Sequence, residues 1–134
     1  MSITIGRPGE EVSLTSSHLK YLLAIYEVAE EFPEVSSANI ARKLGVSKPS
    51  VSTMLACLMD KDLLVKERYG KVYLTETGFL IARELVHRIE TLERELKHLP
   101  FRLTQADIHR MAILIVTEMP DLEVGETSFF QDAG

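Results

Sequence analysis

Between Ser37 and Leu58 two short apolar periodicities flank Gly45-Val46-Ser47, and few folds accommodate that spacing. Ile40, Ala41 and Leu44 make one face of a helix expected over about residues 37–44. Gly45 supplies the left-handed residue that ends it, and Ser47 restarts the chain as a helix with Pro49 in its first turn, where a missing N–H costs little. Val51, Met54, Leu55 and Leu58 then recur at i, i+3, i+4 and i+7, an inward stripe. Val46 is expected to plug the turn into the core. Two helices joined so tightly cross one another, which is the helix-turn-helix arrangement.

The flanking chain completes the pattern. Ser16 or Ser17 can cap a helix to about Phe32, with Leu19, Leu22, Leu23, Tyr26, Ala29 and Phe32 at helical spacing; Pro33 stops it. After residue 63 the period shortens, and Leu64–Tyr69 with Lys71–Leu74 around Gly70 predict a β-hairpin. Thr75 starts a long helix through about Leu96, striped by Ile81, Leu85, Ile89, Leu92 and Leu96. Thr104 with Asp107 begins a fifth helix that ends before Pro120. The expected fold is mainly α: a winged helix-turn-helix, with a three-helix core and a β-hairpin wing, followed by a helical dimerisation region. The boundaries read as a flexible arm over 1–15, the winged helix over 16–75, the helical region over 76–120 and an acidic tail over 121–134.

Charge separates these parts. The net charge is −5 over 134 residues, yet residues 36–73 carry +4, while residues 1–35 carry −4 and 74–134 carry −5. A basic third within an acidic chain is the footprint of a phosphate-binding module. Apolar residues make up 46% and the longest apolar run is Met111–Val116, too short to span a bilayer. No basic and apolar leader opens the chain, and the single cysteine, Cys57, forms no internal disulfide. A cytoplasmic protein with no membrane partner is expected. Walker, G-x-S-x-G, H-E-x-x-H and dinucleotide motifs are absent, so no catalytic residue is assigned.

The outward face of the third helix is Lys48, Pro49, Ser50, Ser52, Thr53 and Ala56. Small side chains let a helix approach base edges, and hydroxyls can bond bases or phosphates. Lys66, Arg68, Tyr69 and Lys71 gather at the hairpin tip, suited to gripping backbone. The expected interface with double-stranded DNA is Arg42, Lys43, Ser47, Lys48, Pro49, Ser50, Ser52, Thr53, Arg68, Tyr69 and Lys71. Lys48, Ser50, Ser52 and Thr53 approach bases, while Arg42, Lys43, Arg68, Tyr69 and Lys71 hold phosphates. The fifth helix is apolar nearly all round, which asks for cover on both sides. A second copy is the natural cover, with Ile108, Met111, Ala112, Ile115 and Val116 at a two-fold seam. Phe129 and Phe130 could pack on that partner.

Three stretches carry a family resemblance: Tyr21–Tyr26; Ile40-Ala41 with Leu44-Gly45-Val46-Ser47 and Pro49-Ser50-Val51; and Gly70–Gly78. Together they resemble the DNA-binding domain of the diphtheria-toxin-repressor family, bacterial iron- or manganese-dependent transcriptional repressors. The similarity covers about residues 16–96 well and 104–118 in outline. It implies a homodimer on a palindromic operator, with the third helix reading DNA and the fifth, with the end of the fourth, forming the seam. The family's metal ligands do not carry over. Its helix-one ligand position is Lys20, its helix-four histidine falls on Ile89 with the following acid kept as Glu93, and its helix-five positions are His109, Ile113, Val116 and Thr117. Two matching ligands fall short of the three or more that hold a transition metal tightly.

No cofactor or metal ligand is therefore assigned. A divalent manganese, iron or zinc ion stays open only through Glu93 with His109, or through a rebuilt site using His87, Glu90 and His98. The plainer reading of that stretch is a solvated helix face with Glu84–Arg88 and Glu93–Lys97 pairs. His18 reads as a surface residue at a helix start, and Cys57 as a small packed hydrophobe. Two other functions remain: a regulator of this fold gated by a small molecule in the acidic helical part, and a winged-helix protein-interaction module without an operator.

Overall fold

A computed structural model of the chain describes residues 2–5 and 11–122. The described residues form two compact units, one of residues 18–82 and one of residues 2–5, 11–17 and 83–122. Phe129, Phe130 and most of the acidic tail lie outside the described residues.

The first unit is the winged helix. Helix α1 (Ser16–Glu31) buries Leu19, Leu22, Leu23, Ile25 and Val28. Helix α2 (Ser37–Leu44) begins at Ser36, whose side chain accepts from the Asn39 N–H. It ends at Gly45, which sits at φ 68° and donates its N–H to Ala41 O. That left-handed stop is the conformation glycine adopts without a Cβ penalty. Helix α3 (Lys48–Asp60) is capped by Ser47, which accepts from the Ser50 N–H, and carries Pro49 in its first turn. Val51, Leu55 and Leu58 are buried, and Met54 is half-buried. Val46 departs from expectation: it is 38% exposed, and the turn is tied by its backbone N–H to Ala41 O instead. The short α2 and the Gly45 stop already fix the crossing, so no side-chain plug is needed.

Strands β3 (Leu64–Lys66) and β4 (Val72–Leu74) form the antiparallel wing, paired Leu64 to Leu74, Val65 to Tyr73 and Lys66 to Val72. The strands are shorter than the apolar alternation suggests. Glu67 and Lys71 close the loop through Glu67 N–H to Lys71 O, with Gly70 at φ 87° inside it. Helix α4 (Glu76–Leu96) starts in this unit. Thr75 caps it, accepting from the Gly78 N–H and donating its hydroxyl to Asp62 O. Val72 N–H donates to Val35 O at 3.0 Å, tying the wing to the α1–α2 connection.

The second unit holds strands β1 (Ser2–Ile5) and β2 (Val12–Thr15), the remainder of α4, and α5 (Gln105–Glu118). The strands correct the expected flexible arm: they pair antiparallel, Ile3 with Leu14 and Ile5 with Val12, and Leu14 is fully buried. Ile3, Ile5, Val12 and Leu14 do alternate with polar residues, but each run is too short to stand out against the Gly6–Pro8–Gly9 interruption. Helix α5 opens with the reciprocal Thr104–Asp107 capping box. Thr104's backbone N–H and hydroxyl hold the Asp107 carboxyl below its usual range.

Arg88 is the largest correction to the helical region. Its spacing from Glu84 predicts a solvated face, yet it is among the most buried side chains, at 2% exposure. Its Nη1 donates to Pro120 O at 2.9 Å and its Nη2 to Leu122 O, so it pins the chain that follows α5. Desolvation lowers its pKa, opposed by the nearby Glu84 and Asp121 carboxylates. Among the described residues no helix is long and apolar enough to cross a membrane.

Candidate nucleic-acid interface

The leading end of α3 is built by its cap. Ser47 Oγ accepts from the Ser50 N–H at 3.3 Å and donates to Ser50 Oγ at 2.9 Å. Thr53 Oγ1 donates to Pro49 O at 3.1 Å. These bonds fix the rotamers of the hydroxyl side chains while the oxygens stay at the surface. Ser47, Lys48, Pro49, Ser50, Ser52, Thr53 and Ala56 are all exposed, one continuous small-residue face. The N-terminal end of the helix dipole adds a positive potential suited to phosphate.

The cations of this unit differ in how far carboxylates engage them. Among the described residues Arg42, Lys48, Lys66 and Arg68 have no carboxylate within ion-pair distance, and all four are exposed. Tyr69 stands at the wing tip with 90% of its surface exposed. Two of the expected phosphate holders are engaged elsewhere. Lys43 Nζ lies 3.2 Å from Glu27 and 3.1 Å from Glu31, both on α1, and those pairs raise its pKa against the opposing effect of desolvation. Lys71 Nζ lies 3.0 Å from Glu34, which raises its pKa too. Spacing along the chain gives no sign of either pair, since each joins elements apart in the sequence. Lys66, at the hairpin tip but outside the expected phosphate holders, is exposed at the end of β3.

Inside this unit His18 corrects its expected surface position. It is buried, and its Nε2 lies 3.4 Å from Cys57 Sγ. Burial lowers its pKa, and Lys61 adds to the shift. Cys57 is half-buried.

The residues expected at a dimer seam divide. Ile108, Ala112 and Val116 are buried within the single chain, so they serve its own interior. Met111 and Ile115 stay half-buried, and Leu114 beside them is 48% exposed. Periodicity alone could not tell which side of a helix apolar all round would meet its own chain.

The positions matching the family's metal ligands are filled by packing side chains. Ile89 and Val116 are buried, and Thr117 turns its hydroxyl back onto Ile113 O at 2.8 Å. Glu93 does meet His109, Oε2 to Nδ1 at 3.2 Å, and Gln105 Nε2 donates to the same oxygen at 3.2 Å. Arg94 and Lys97 line the groove that Glu93 shares with Glu90 and Gln105, which disfavours a second cation there. His87 and His98 are exposed, and no three metal-ligating side chains come together among the described residues. The residues present do not fit a tightly held metal at the family's positions.

An exposed, capped helix behind a tight turn, beside a basic wing, defines a winged-helix protein of the DNA-binding type. Known proteins narrow this class. Residues 13–72 match the family described as iron dependent repressor, N-terminal DNA binding domain. Over 83 residues the chain is 40% identical to the HTH-type transcriptional regulator MntR of Shouchella clausii, covering 62% of this chain and 58% of that one. It is 35% identical over the same length to MntR of Bacillus subtilis. Among solved structures it resembles the manganese regulator SloR, with a TM-score of 0.62 at 30% identity over 87% of this chain and 51% of that one. The metal-dependent transcriptional regulator MtsR gives a TM-score of 0.64 at 28% identity, over 73% and 45%. The chain thus spans about half the length of these relatives.

Proposed function

We propose that this protein is a sequence-specific DNA-binding transcriptional regulator, acting as a repressor, that works in the cytoplasm as a homodimer on a palindromic operator. The reading rests on one observation above others: the Ser47-capped start of α3 presents a face of exposed and mostly small residues, and Lys48, with Arg42, Lys66 and Arg68 of the same unit, has no carboxylate within ion-pair distance among the described residues. Such a helix can enter a major groove N-terminus first while the wing grips adjacent phosphates. Arg42, Lys48, Lys66 and Arg68 carry the phosphate contacts; Lys43 and Lys71 contribute less, because binding DNA would cost them an existing ion pair. The dimer uses the strip of Met111, Leu114 and Ile115 on α5, an apolar surface with Leu114 exposed and the other two half-buried, which a two-fold partner would cover. The similarity to manganese regulators suggests metal-responsive ancestry. The apolar packing at Ile89 and Val116 supports a regulator whose response does not run through that site.

Two variants separate the roles of wing and helix. Arg68→Ala is expected to weaken binding on every DNA sequence and to reduce the log–log salt slope by about one for each phosphate the side chain no longer neutralises. Ser50→Ala with Thr53→Val is expected to leave that slope alone and to lower the preference for operator over random DNA by about ten-fold. Anisotropy titrations on both DNAs across a range of salt concentrations read the two effects together. An unchanged slope for Arg68→Ala, or equal losses on both DNAs for the helix variant, would contradict the assignments.

A further inference from the structure

The winged-helix unit contains a cavity that DNA contact does not use. It lies among the C-terminal half of α1, the α1–α2 connection, β4 and the first turn of α4, and has a volume of about 250 Å³. Ile25, Ala29, Val35 and Val72 supply apolar wall. Four aromatic rings border the same space: Tyr26, Phe32, Tyr73 and Phe79. Tyr26 and Phe79 form a tilted pair with centroids 5.8 Å apart. Phe32, Tyr73 and Phe79 are each exposed, and their convergence on one concavity is unlike the scattered single apolar residues of an ordinary surface.

The charges at its edge decide what such a space would hold. Glu30, Glu34 and Lys71 line it; Lys71 is paired with Glu34 at 3.0 Å, and among the described residues no cation lies within ion-pair distance of the Glu30 carboxylate. Aromatic faces carry the negative end of the ring quadrupole, so rings and carboxylate act with the same sign. An organic anion would be repelled by both, and a neutral molecule would gain only apolar burial. We infer that this cavity binds a small lipophilic cation, an aromatic or quaternary amine, with its charge toward Glu30 and the ring faces. The site belongs to the winged helix and not to the acidic helices. Its occupant borders β4, the strand tied to the α1–α2 connection by the Val72–Val35 hydrogen bond, next to the Lys71–Glu34 pair that precedes it in the chain.

The test is an NMR titration of the full chain, without DNA, with benzyltrimethylammonium as the probe and benzylsulfonate as its anionic counterpart. Saturable shifts at Tyr26, Tyr73, Phe79 and Val72 are expected with the cation, at least about ten-fold tighter than any response to the anion. Glu30→Gln, and separately Tyr73→Leu, which keeps apolar area but removes a ring face, should each weaken the cation several-fold with the denaturation midpoint unchanged. Equal binding of cation and anion, or indifference to both substitutions, would overturn the inference. So would shifts at these residues that follow protein concentration alone, which would make the face an interface between copies. With no DNA present, either result leaves the DNA-binding reading untouched.

Discussion

Gly78→Ala is expected to destabilise the protein by about 2–4 kcal/mol, although alanine is the better helix former by about 1 kcal/mol. Gly78 is in the first turn of α4, where a Cβ would run into the backbone of Leu63, overlapping its carbonyl oxygen and 3.1 Å from its carbonyl carbon. The obstacle is main chain and cannot rotate away. That same oxygen accepts the Thr75 N–H at 3.1 Å, and Thr75 in turn holds Asp62 O, so moving Leu63 would undo the cap of α4 and the entry into the wing together. The loss is a large part of the stability of a small domain. Urea denaturation checks it, with Gly70→Ala as the contrast. Gly70 sits at φ 87° with open space around it, so an added methyl there meets backbone strain alone. A Gly78→Ala protein as stable as the parent would mean that the close approach of α4 to Leu63 is wrong.

Arg88→Met should cost about 2–3 kcal/mol and release the segment after α5. Methionine replaces the stem but leaves the Pro120 and Leu122 carbonyls without their donor; the Pro120 bond is buried, where an unsatisfied acceptor costs about 1–3 kcal/mol, and the Leu122 bond is part-buried and adds less. Relief from burying a guanidinium offsets part of this, which keeps the total below the simple sum. Arg88→Lys should rescue little, because one ammonium does not present the two-pronged donor set that reaches both carbonyls. Hydrogen exchange would read the effect locally: faster exchange at Met119 and Leu122 in both variants, with α3 unchanged. Parent-like stability together with parent-like protection at those amides would show that Arg88 is not the pin.

The helices of this fold are legible because their ends carry local chemistry. Ser47 with Pro49, Gly45, and Thr104 with Asp107 each act within a few residues, and the structure uses them as caps and stops where spacing puts them. What escapes the sequence is what depends on neighbours distant in the chain. Arg88 reads as a surface cation until the chain after α5 returns to it, and His18 reads as exposed until Cys57 arrives from α3. Lys43 and Lys71 count toward a basic face by composition, but carboxylates of α1 and of the α1–α2 connection have already drawn them aside. The β1–β2 pair shows the same limit. Four-residue strands gain their order by pairing, and neither strand alone has a pattern strong enough to announce it. In the candidate interface, the helix face is therefore readable and the phosphate-holding set only partly so.

The most direct test of a regulator without the family's metal switch is fluorescence anisotropy of the purified protein on DNA from its own upstream region. Binding is measured first with a chelator, then with added manganese, ferrous iron or zinc. The expected result is tight binding to one palindromic site that is unchanged by chelation or by any of the metals. Binding that appears only when metal is added would contradict it, and would direct attention to Glu93 with His109 as the remnant that still holds an ion.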